Sequence, residues 1–212
     1  MSVLPDVLAP GLRIVFCGTA VSLTSAQLGA YYARPGNKFW ATLFKVGLTP
    51  RQLRPEEYAT ITRYGLGLTD LAKSVAGADS TLAAHHFDSR ALRVKIEQYR
   101  PRILAFTSKR AAKEYLGRAV HYGLLPETIG STRLFVLTST SGMAGKSWSI
   151  GPREELAHCR LDLLRRWRTG MRGGAHFSTI TPSSSTSRAA RERLSLTNGV
   201  TARPRAVSRG AA

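Results

Sequence analysis

The chain is poor in cysteine, in acidic residues and in long apolar runs. Its 212 residues include only Cys17 and Cys159 and no CxxC pair, which excludes a disulfide framework and a cysteine-rich zinc site. No apolar run approaches the roughly 20 residues of a membrane span. Residues 1–10 lack the basic start and apolar stretch of a signal peptide. We therefore expect a protein of the reducing cytoplasm, with no membrane partner.

Basic residues are in large excess. The 31 lysines and arginines outnumber the 13 acids, which gives a formal net charge of +18. Such a surplus attracts phosphates and favours a polyanionic partner, with nucleic acid preferred over an anionic membrane. General solubility is the alternative reading of the charge. We expect a protein that associates at most with the nucleoid.

The composition changes near residue 170 and predicts two regions. Residues 1–169 carry the periodic apolar segments and predict one folded domain. Residues 170–212, called the tail below, carry a serine-rich run and seven arginines against one acid. The tail has too little apolar content to form a core, so we expect it to be disordered. It is either a basic arm for DNA or a segment without a task.

Short apolar segments alternate with helical patterns along residues 1–169. Strands are predicted at 12–17, 64–71, 103–106 and 134–137, and helices at 37–46, from 55, at 90–99, at 109–116 and from 152. This alternation predicts an α/β fold, a three-layer α/β/α arrangement with a mostly parallel sheet of about four strands. Ligands of such sheets bind beyond the carboxyl ends of the strands. The loops that begin at Gly18 and Thr138 are therefore the expected site.

Three sequence blocks resemble the mismatch-specific uracil/thymine DNA glycosylases of the uracil-DNA glycosylase superfamily. The first block has the most specific spacing, and together the blocks cover about residues 6–168. The matching segments are 8–13, 15–18, 35–37 and 39–40 in the first block, 67–69 and Leu71 in the second, and 130–132, 136–137 and 141–142 in the third.

The resemblance implies hydrolysis of the bond between a damaged base and deoxyribose. The base must be flipped out of the DNA into a pocket that stacks it and stabilises it as a leaving anion. It implies a monofunctional uracil-DNA glycosylase that leaves an abasic site, acts as a monomer, and needs no cofactor and no metal. The substrate would be uracil in single- or double-stranded DNA.

The first loop departs from the pattern of this family. Gly18 and Thr19 match its strand-to-loop turn, but Ala20 stands where the family places a water-positioning asparagine. A methyl group cannot hold water, so the backbone amides around Thr19 and Ala20 are the remaining donors there. Tyr32, or its neighbour Tyr31, falls where the family stacks an aromatic ring on the base. Asn37 borders the pocket and is also the expected cap of the following helix.

The last loop also departs from the family pattern. Ser139 replaces the asparagine with which this loop begins in the family, and its hydroxyl group is an expected hydrogen-bond partner of the base or of a phosphate. Ser141 and Gly142 belong to the expected DNA contact, Met143 is the expected apolar wedge, and Lys146 is an expected phosphate contact.

Asp70 is the expected substitute for the missing asparagine. It follows Gly67-Leu68-Thr69 near the end of a predicted strand, where a carboxylate can orient water or stabilise positive charge on the sugar. An exposed carboxylate or helix cap is the alternative reading. His85, His86 and Asp88 form a second polar group, for which an ordinary loop is the simpler interpretation.

Two hypotheses of function follow from these residues. The first is a DNA glycosylase that removes uracil. The second is an inactive protein of the same fold that binds uracil or mispairs, which Ala20 favours. A generic nucleotide-binding protein is disfavoured because the sequence lacks a glycine-rich phosphate loop. The preferred lesion and strand state stay open.

Overall fold

The computed structural model describes residues 2–142 and 149–158. It contains five strands, β1 (Ile14–Val21), β2 (Leu66–Ala76), β3 (Ile103–Phe106), β4 (Gly123–Ile129) and β5 (Thr132–Val136). The helices are α1 (Leu23–Gln27), α2 (Phe39–Lys45), α3 (Ser89–Tyr99) and α4 (Lys109–Leu116). Residues 151–158 are also helical, and 3₁₀ turns lie at Pro55–Tyr64, Asp79–Thr81 and Ala84–His86.

The strands form one sheet in the order β2-β1-β3-β5-β4. All neighbouring pairs are parallel except β4 and β5, which form an antiparallel hairpin. The amino-terminal segment runs along the outer edge of β2, where Val7 and Leu68 exchange two backbone hydrogen bonds of 2.9 and 3.0 Å. Because β2 is an edge strand, this pairing covers backbone groups that would otherwise be free.

Alternating residues of β1 pack into two separate cores. Ile14 and Phe16 belong to a cluster with α2, the Pro55–Tyr64 turn and Leu156. Val15 and Cys17 belong to a second cluster with α3 and α4. Since successive strand residues point to opposite faces, helices cover both faces of the sheet. The predicted three-layer α/β/α class is confirmed.

Side-chain caps set the starts of α3 and α4. Asp88 accepts a hydrogen bond from Ala91 N at 2.8 Å and begins α3, and Ser108 accepts one from Ala111 N at 3.1 Å and begins α4. Gly117 ends α4 with a φ of 70°. The predicted helices at 37–46, 90–99 and 109–116 agree with α2, α3 and α4, whereas the segment from Pro55 is a 3₁₀ helix.

Three features of the sheet differ from the sequence prediction. Strand β4 was missed because Pro126 and Glu127 interrupt its apolar pattern. Strand β2 continues to Ala76 instead of ending at Leu71. Strand β1 continues to Val21, so the expected loop from Gly18 is a strand there, because residues 18–20 remain paired with the long β2.

Some predictions fall on residues outside the described part of the chain. These are the tail, the domain boundary near residue 170 and the end of the last helix. Among the described residues, no helix combines the length and apolar character needed to cross a membrane.

Candidate active site

A cavity of about 460 Å³ opens at the carboxyl ends of the parallel strands. Its walls come from the end of β1, from β2 and the turn after it, and from the segments that follow α1, β3 and β5. The lining residues that carry polar side chains are Thr19, Ser22, Ser25, Tyr31, Tyr32, Arg34, Asn37, Asp70, Asp79, Ser80, Thr107, Ser108, Ser139, Thr140 and Ser141. Both segments that the sequence singled out, after the first and the last strand, contribute to it.

Asp70 lies against Gly18 at one wall of this cavity. The two residues are register partners on adjacent parallel strands, so their side-chain positions are on the same face of the sheet. A Cβ atom at position 18 would lie 2.3 Å from Asp70 Oδ1. Gly18 therefore provides the space that the carboxyl group of Asp70 occupies.

The carboxyl group of Asp70 is buried and incompletely paired. Its residue is 3% exposed, and Oδ2 has no hydrogen-bond partner among the described residues. Burial raises the pKa of Asp70 to about 6, while the Lys73 ammonium, 3.9 Å from Oδ2, and the Tyr31 hydroxyl lower it. A carboxyl group in a cavity with such a pKa is suited to acid–base chemistry near neutral pH.

Tyr32 presents an aromatic ring to the cavity. Its ring stacks on Phe39 with centroids 3.8 Å apart and an interplanar angle of 16°. Phe39 is fully buried, whereas Tyr32 is half-buried and lines the cavity. The backbone of Tyr32 has a φ of 55°, a left-handed conformation that is rare for a bulky residue and common at functional sites.

Tyr31 is fixed by its neighbours instead. Its hydroxyl accepts a hydrogen bond from Lys73 Nζ at 2.9 Å, and its carbonyl accepts one from Trp40 Nε1 at 3.0 Å. Only 2% of Tyr31 is exposed. Of the two adjacent tyrosines, Tyr32 has the ring that is better placed to meet a planar ligand.

Asn37 lines the cavity and lies one residue before Lys38, which is the N-cap of α2 in place of the expected Asn37. Asn37 Oδ1 accepts a hydrogen bond from Phe39 N at 2.9 Å, which leaves the side-chain nitrogen as a donor without a partner among the described residues. Next to it, Lys38 N donates to Thr140 O at 3.0 Å. This bond joins the start of α2 to the segment after β5, so both meet at the cavity.

The last described loop contributes hydroxyl groups. Ser139 lines the cavity, and its Oγ accepts a hydrogen bond from Ser141 N at 3.3 Å. Ser141 also lines the cavity, while Gly142 is exposed beside Gly36. Met143 and Lys146 lie outside the described residues, so their predicted contacts with DNA stay predictions.

Thr19 and Ala20 lie in β1 and face the cavity from the strand. Ala20 pairs with Ala72, and its half-buried methyl group lies among the lining residues. The Thr19 hydroxyl lies 3.3 Å from Ser108 Oγ, which begins α4. Thr19 and Ala20 both lie in a strand where a loop was expected, and the predicted donor role of the backbone amides around them stays a prediction.

Two charged residues near the cavity were not predicted from the sequence. Asp79 follows β2 at the rim, where partial desolvation raises its pKa against the opposing effects of Thr19 and Arg110. Arg153 is fully buried and donates through Nη1 to Thr138 O at 2.7 Å and to Thr138 Oγ1 at 2.9 Å, and burial lowers its pKa to about 10. Neither residue lies in a motif, so only the fold reveals them.

The polar segment that contains His85, His86 and Asp88 does not line the cavity. His86 Nδ1 accepts a hydrogen bond from Ala83 N at 3.1 Å, and Asp88 caps α3. The simpler interpretation of this segment as an ordinary loop agrees with these contacts. Within the described ranges, no group of three or more histidine, cysteine, aspartate or glutamate residues could hold a metal ion.

Comparison with known proteins identifies the family. The sequence profile of the uracil DNA glycosylase superfamily matches residues 5–203. The chain belongs to the uracil DNA glycosylase superfamily. The solution NMR structure of a candidate uracil DNA glycosylase from Methanosarcina acetivorans is similar to it, with a TM-score of 0.55 and 22% sequence identity over 76% of this chain and 96% of that chain.

Membership of this superfamily indicates a DNA glycosylase, a hydrolase of DNA repair that acts on DNA. The similarity to the solved structure supports the fold. The predicted place within the mismatch-specific branch stays a prediction, as do the roles of the individual residues.

Proposed function

We propose that this protein is a monofunctional DNA glycosylase that hydrolyses the N-glycosidic bond of uracil in DNA and leaves an abasic site. The observation that carries the proposal is the buried carboxyl group of Asp70, incompletely paired, at the wall of a cavity that also holds an aromatic ring and an amide donor. Membership of the uracil DNA glycosylase superfamily supports the reaction class.

Binding of the flipped base follows from the two sides of the cavity. The uracil ring stacks on the face of Tyr32 that Phe39 does not cover. The Asn37 side-chain nitrogen donates a hydrogen bond to a carbonyl oxygen of the base, because its oxygen is already used by Phe39 N. This donor lowers the energy of the departing uracil anion.

Asp70 acts on the sugar side of the bond. As the bond between C1′ and the base nitrogen breaks, its electron pair leaves with the base and the sugar becomes cation-like. The ionised carboxylate stabilises that cation and orients a water, whose oxygen bonds to C1′ while its proton passes to Asp70. The uracil anion then takes a proton from solvent, and Asp70 releases the proton of the water to solvent and becomes a carboxylate again. With a pKa of about 6, Asp70 is mostly ionised at neutral pH.

The composition of the cavity supports the monofunctional assignment. A glycosylase that also cleaves the strand attacks the sugar with an amine and forms a Schiff base. None of the described residues that line the cavity is a lysine. Lys73 is the near neighbour, and it donates to the Tyr31 hydroxyl and pairs with Asp6.

A second function is favoured by Ala20. Its methyl group lines the cavity at the position where the resemblance implies an asparagine, and a methyl group orients no water. A protein that binds flipped uracil without cleaving would use the same stacking and hydrogen bonding. It would have no need of Asp70 as a carboxylate.

One assay separates the two functions. The protein is incubated with a uracil-containing oligonucleotide, single- or double-stranded, and the products are treated with hot alkali. We expect strand breakage at the uracil, and no covalent adduct after borohydride reduction because no Schiff base forms. A gel shift without breakage would establish the binding protein instead.

Two matched variants locate the chemistry. Asp70→Asn keeps the shape of the side chain and removes its charge, so the single-turnover rate is expected to fall at least about 100-fold. Asp88→Asn makes the same change at a helix cap away from the cavity, where asparagine caps as well as aspartate, and should cleave normally. Equal rates for the two variants would contradict the role of Asp70.

A further inference from the structure

A cluster of charged groups spans the edge strand β2 beside the cavity. Asp6, in the amino-terminal segment, accepts hydrogen bonds from Thr69 Oγ1 at 2.8 Å and pairs with Lys73 Nζ at 2.9 Å and Lys95 Nζ at 2.6 Å. Lys73 Nζ also donates to the Tyr31 hydroxyl at 2.9 Å and lies 3.9 Å from Asp70 Oδ2. The cluster thus connects Asp6 with Asp70.

The two aspartates lie on different sides of the edge strand. Thr69 and Asp70 are consecutive in β2 and so point to opposite faces of the sheet. Asp6 binds Thr69 and the α3 residue Lys95, and it is absent from the lining of the cavity. Lys73 is the group that contacts both sides.

We propose that Lys73, anchored by Asp6, is a positioning residue that keeps Asp70 ionised and directed into the cavity. This inference rests on the proposed function, because it gives the ionised Asp70 a task. Lys73 itself is not among the residues that line the cavity. Its side chain is 17% exposed, so water screens its charge only weakly, and its hydrogen bond to Tyr31 restricts where the ammonium can move.

Each neighbour of Asp70 either favours or opposes the ionisation of its carboxyl group. Burial opposes ionisation, and the positive charges of Lys73 and Lys95 favour it. The negative charge of Asp6 opposes it directly, although Asp6 also holds Lys73 in place. The remaining titratable neighbours of Asp70 are Tyr31, Tyr32 and Cys17, and burial raises the pKa of all three, so they are neutral at pH 7.

The proposal predicts opposite shifts for two variants. In Lys73→Met the lost cation should raise the pKa of Asp70 by about one unit above its value in the unchanged protein. In Asp6→Asn the loss of a nearby negative charge should lower the pKa of Asp70. The asparagine oxygen still accepts a hydrogen bond from Lys73, so the ammonium should stay in place. Lys73→Arg retains the charge and should restore a value close to that of the unchanged protein.

The pKa of Asp70 is measured directly by NMR titration of protein labelled with ¹³C at aspartate side chains. The chain has five aspartates, so the Asp70 signal is identified by its absence from Asp70→Asn. Lys113→Met removes an exposed lysine of α4 away from the cavity and should leave the titration unchanged. This readout requires no glycosylase activity, so it tests the coupling separately from the proposed function.

The acidic limb of the rate profile gives the second readout. For uracil release in single turnover, the limb should move to higher pH in Lys73→Met and to lower pH in Asp6→Asn, in step with the NMR values. An unshifted Asp70 titration in folded Lys73→Met would overturn the inference. So would shifts of the same sign in both variants. Should Lys73→Met fail to fold, the direction of the Asp6→Asn shift decides.

Discussion

Adding one methyl group at Gly18 should disable the site without removing any group that acts in it. In Gly18→Ala the new Cβ would lie 2.3 Å from Asp70 Oδ1, which is 0.7 Å closer than the 3.0 Å below which such contacts essentially do not occur. Asp70 is 3% exposed and enclosed by its neighbours, so the carboxyl group must turn away or β1 must move from β2.

The size of the effect follows from that displacement. A shift of the acting group by about 1 Å costs roughly 100-fold in rate, so single-turnover release of uracil should fall by about that factor. Overpacking by one methyl group also costs about 1–3 kcal/mol in the free energy of unfolding. The rate is therefore measured at a temperature where the variant is fully folded, as checked by circular dichroism.

Gly67→Ala is the matched control for this variant. Its Cβ would lie 2.6 Å from Leu12 Cδ1 and 2.7 Å from Val7 O, so it overpacks the residues before β1 by a similar amount but meets no residue that lines the cavity. We expect Gly67→Ala to lose stability and to retain the rate of uracil release. If Gly18→Ala releases uracil as fast as Gly67→Ala, the packing of Asp70 against Gly18 does not contribute to the rate of uracil release.

Three further predictions concern Asp70, Tyr32 and the tail. The pKa of Asp70 in the folded protein, about 6, exceeds its ordinary value of 3.8, so Asp70 stabilises the protein below pH 3.8 and that stability is lost as the pH rises through 6. Urea unfolding of Asp70→Asn at pH 8 should therefore give a free energy of unfolding roughly 1–3 kcal/mol above that of the unchanged protein, and a decrease would contradict the buried charge. Tyr32→Ala removes the stacking ring and should weaken binding of a uracil oligonucleotide about tenfold or more, as measured by fluorescence anisotropy. Tyr32→Phe keeps the ring and should bind normally. Equal losses of affinity in the two variants would exclude stacking. Deleting residues 170–212 removes seven arginines and should flatten the dependence of DNA affinity on salt, and an unchanged slope would show that the tail is no basic arm.

The sequence predicted those parts of the fold that depend on local patterns. Short buried strands and capped amphipathic helices have clear periodicity, so the predicted helices at 90–99 and 109–116 agree closely with α3 and α4. Strand β4 lacks such a pattern because it is half-exposed and contains Pro126. The length of β1 beyond Cys17 depends on pairing with β2, which no local pattern of β1 encodes.

The candidate site was predictable only where a motif marked it. The segments from Gly18 and Thr138 were expected at the carboxyl ends of the strands, and both line the cavity or lie beside it. The burial of Asp70 depends on its register with Gly18, and the contacts of Lys73 depend on a segment more than 60 residues away in sequence. Long-range packing of this kind leaves no signal in neighbouring residues.

A crystal structure of the protein with free uracil tests the central claim most directly. We expect the base in the cavity of about 460 Å³, with its ring on Tyr32 and one carbonyl oxygen within hydrogen-bond distance of the Asn37 side-chain nitrogen. The edge that bore the sugar should face Asp70. Uracil bound elsewhere while this cavity stays empty would contradict the account.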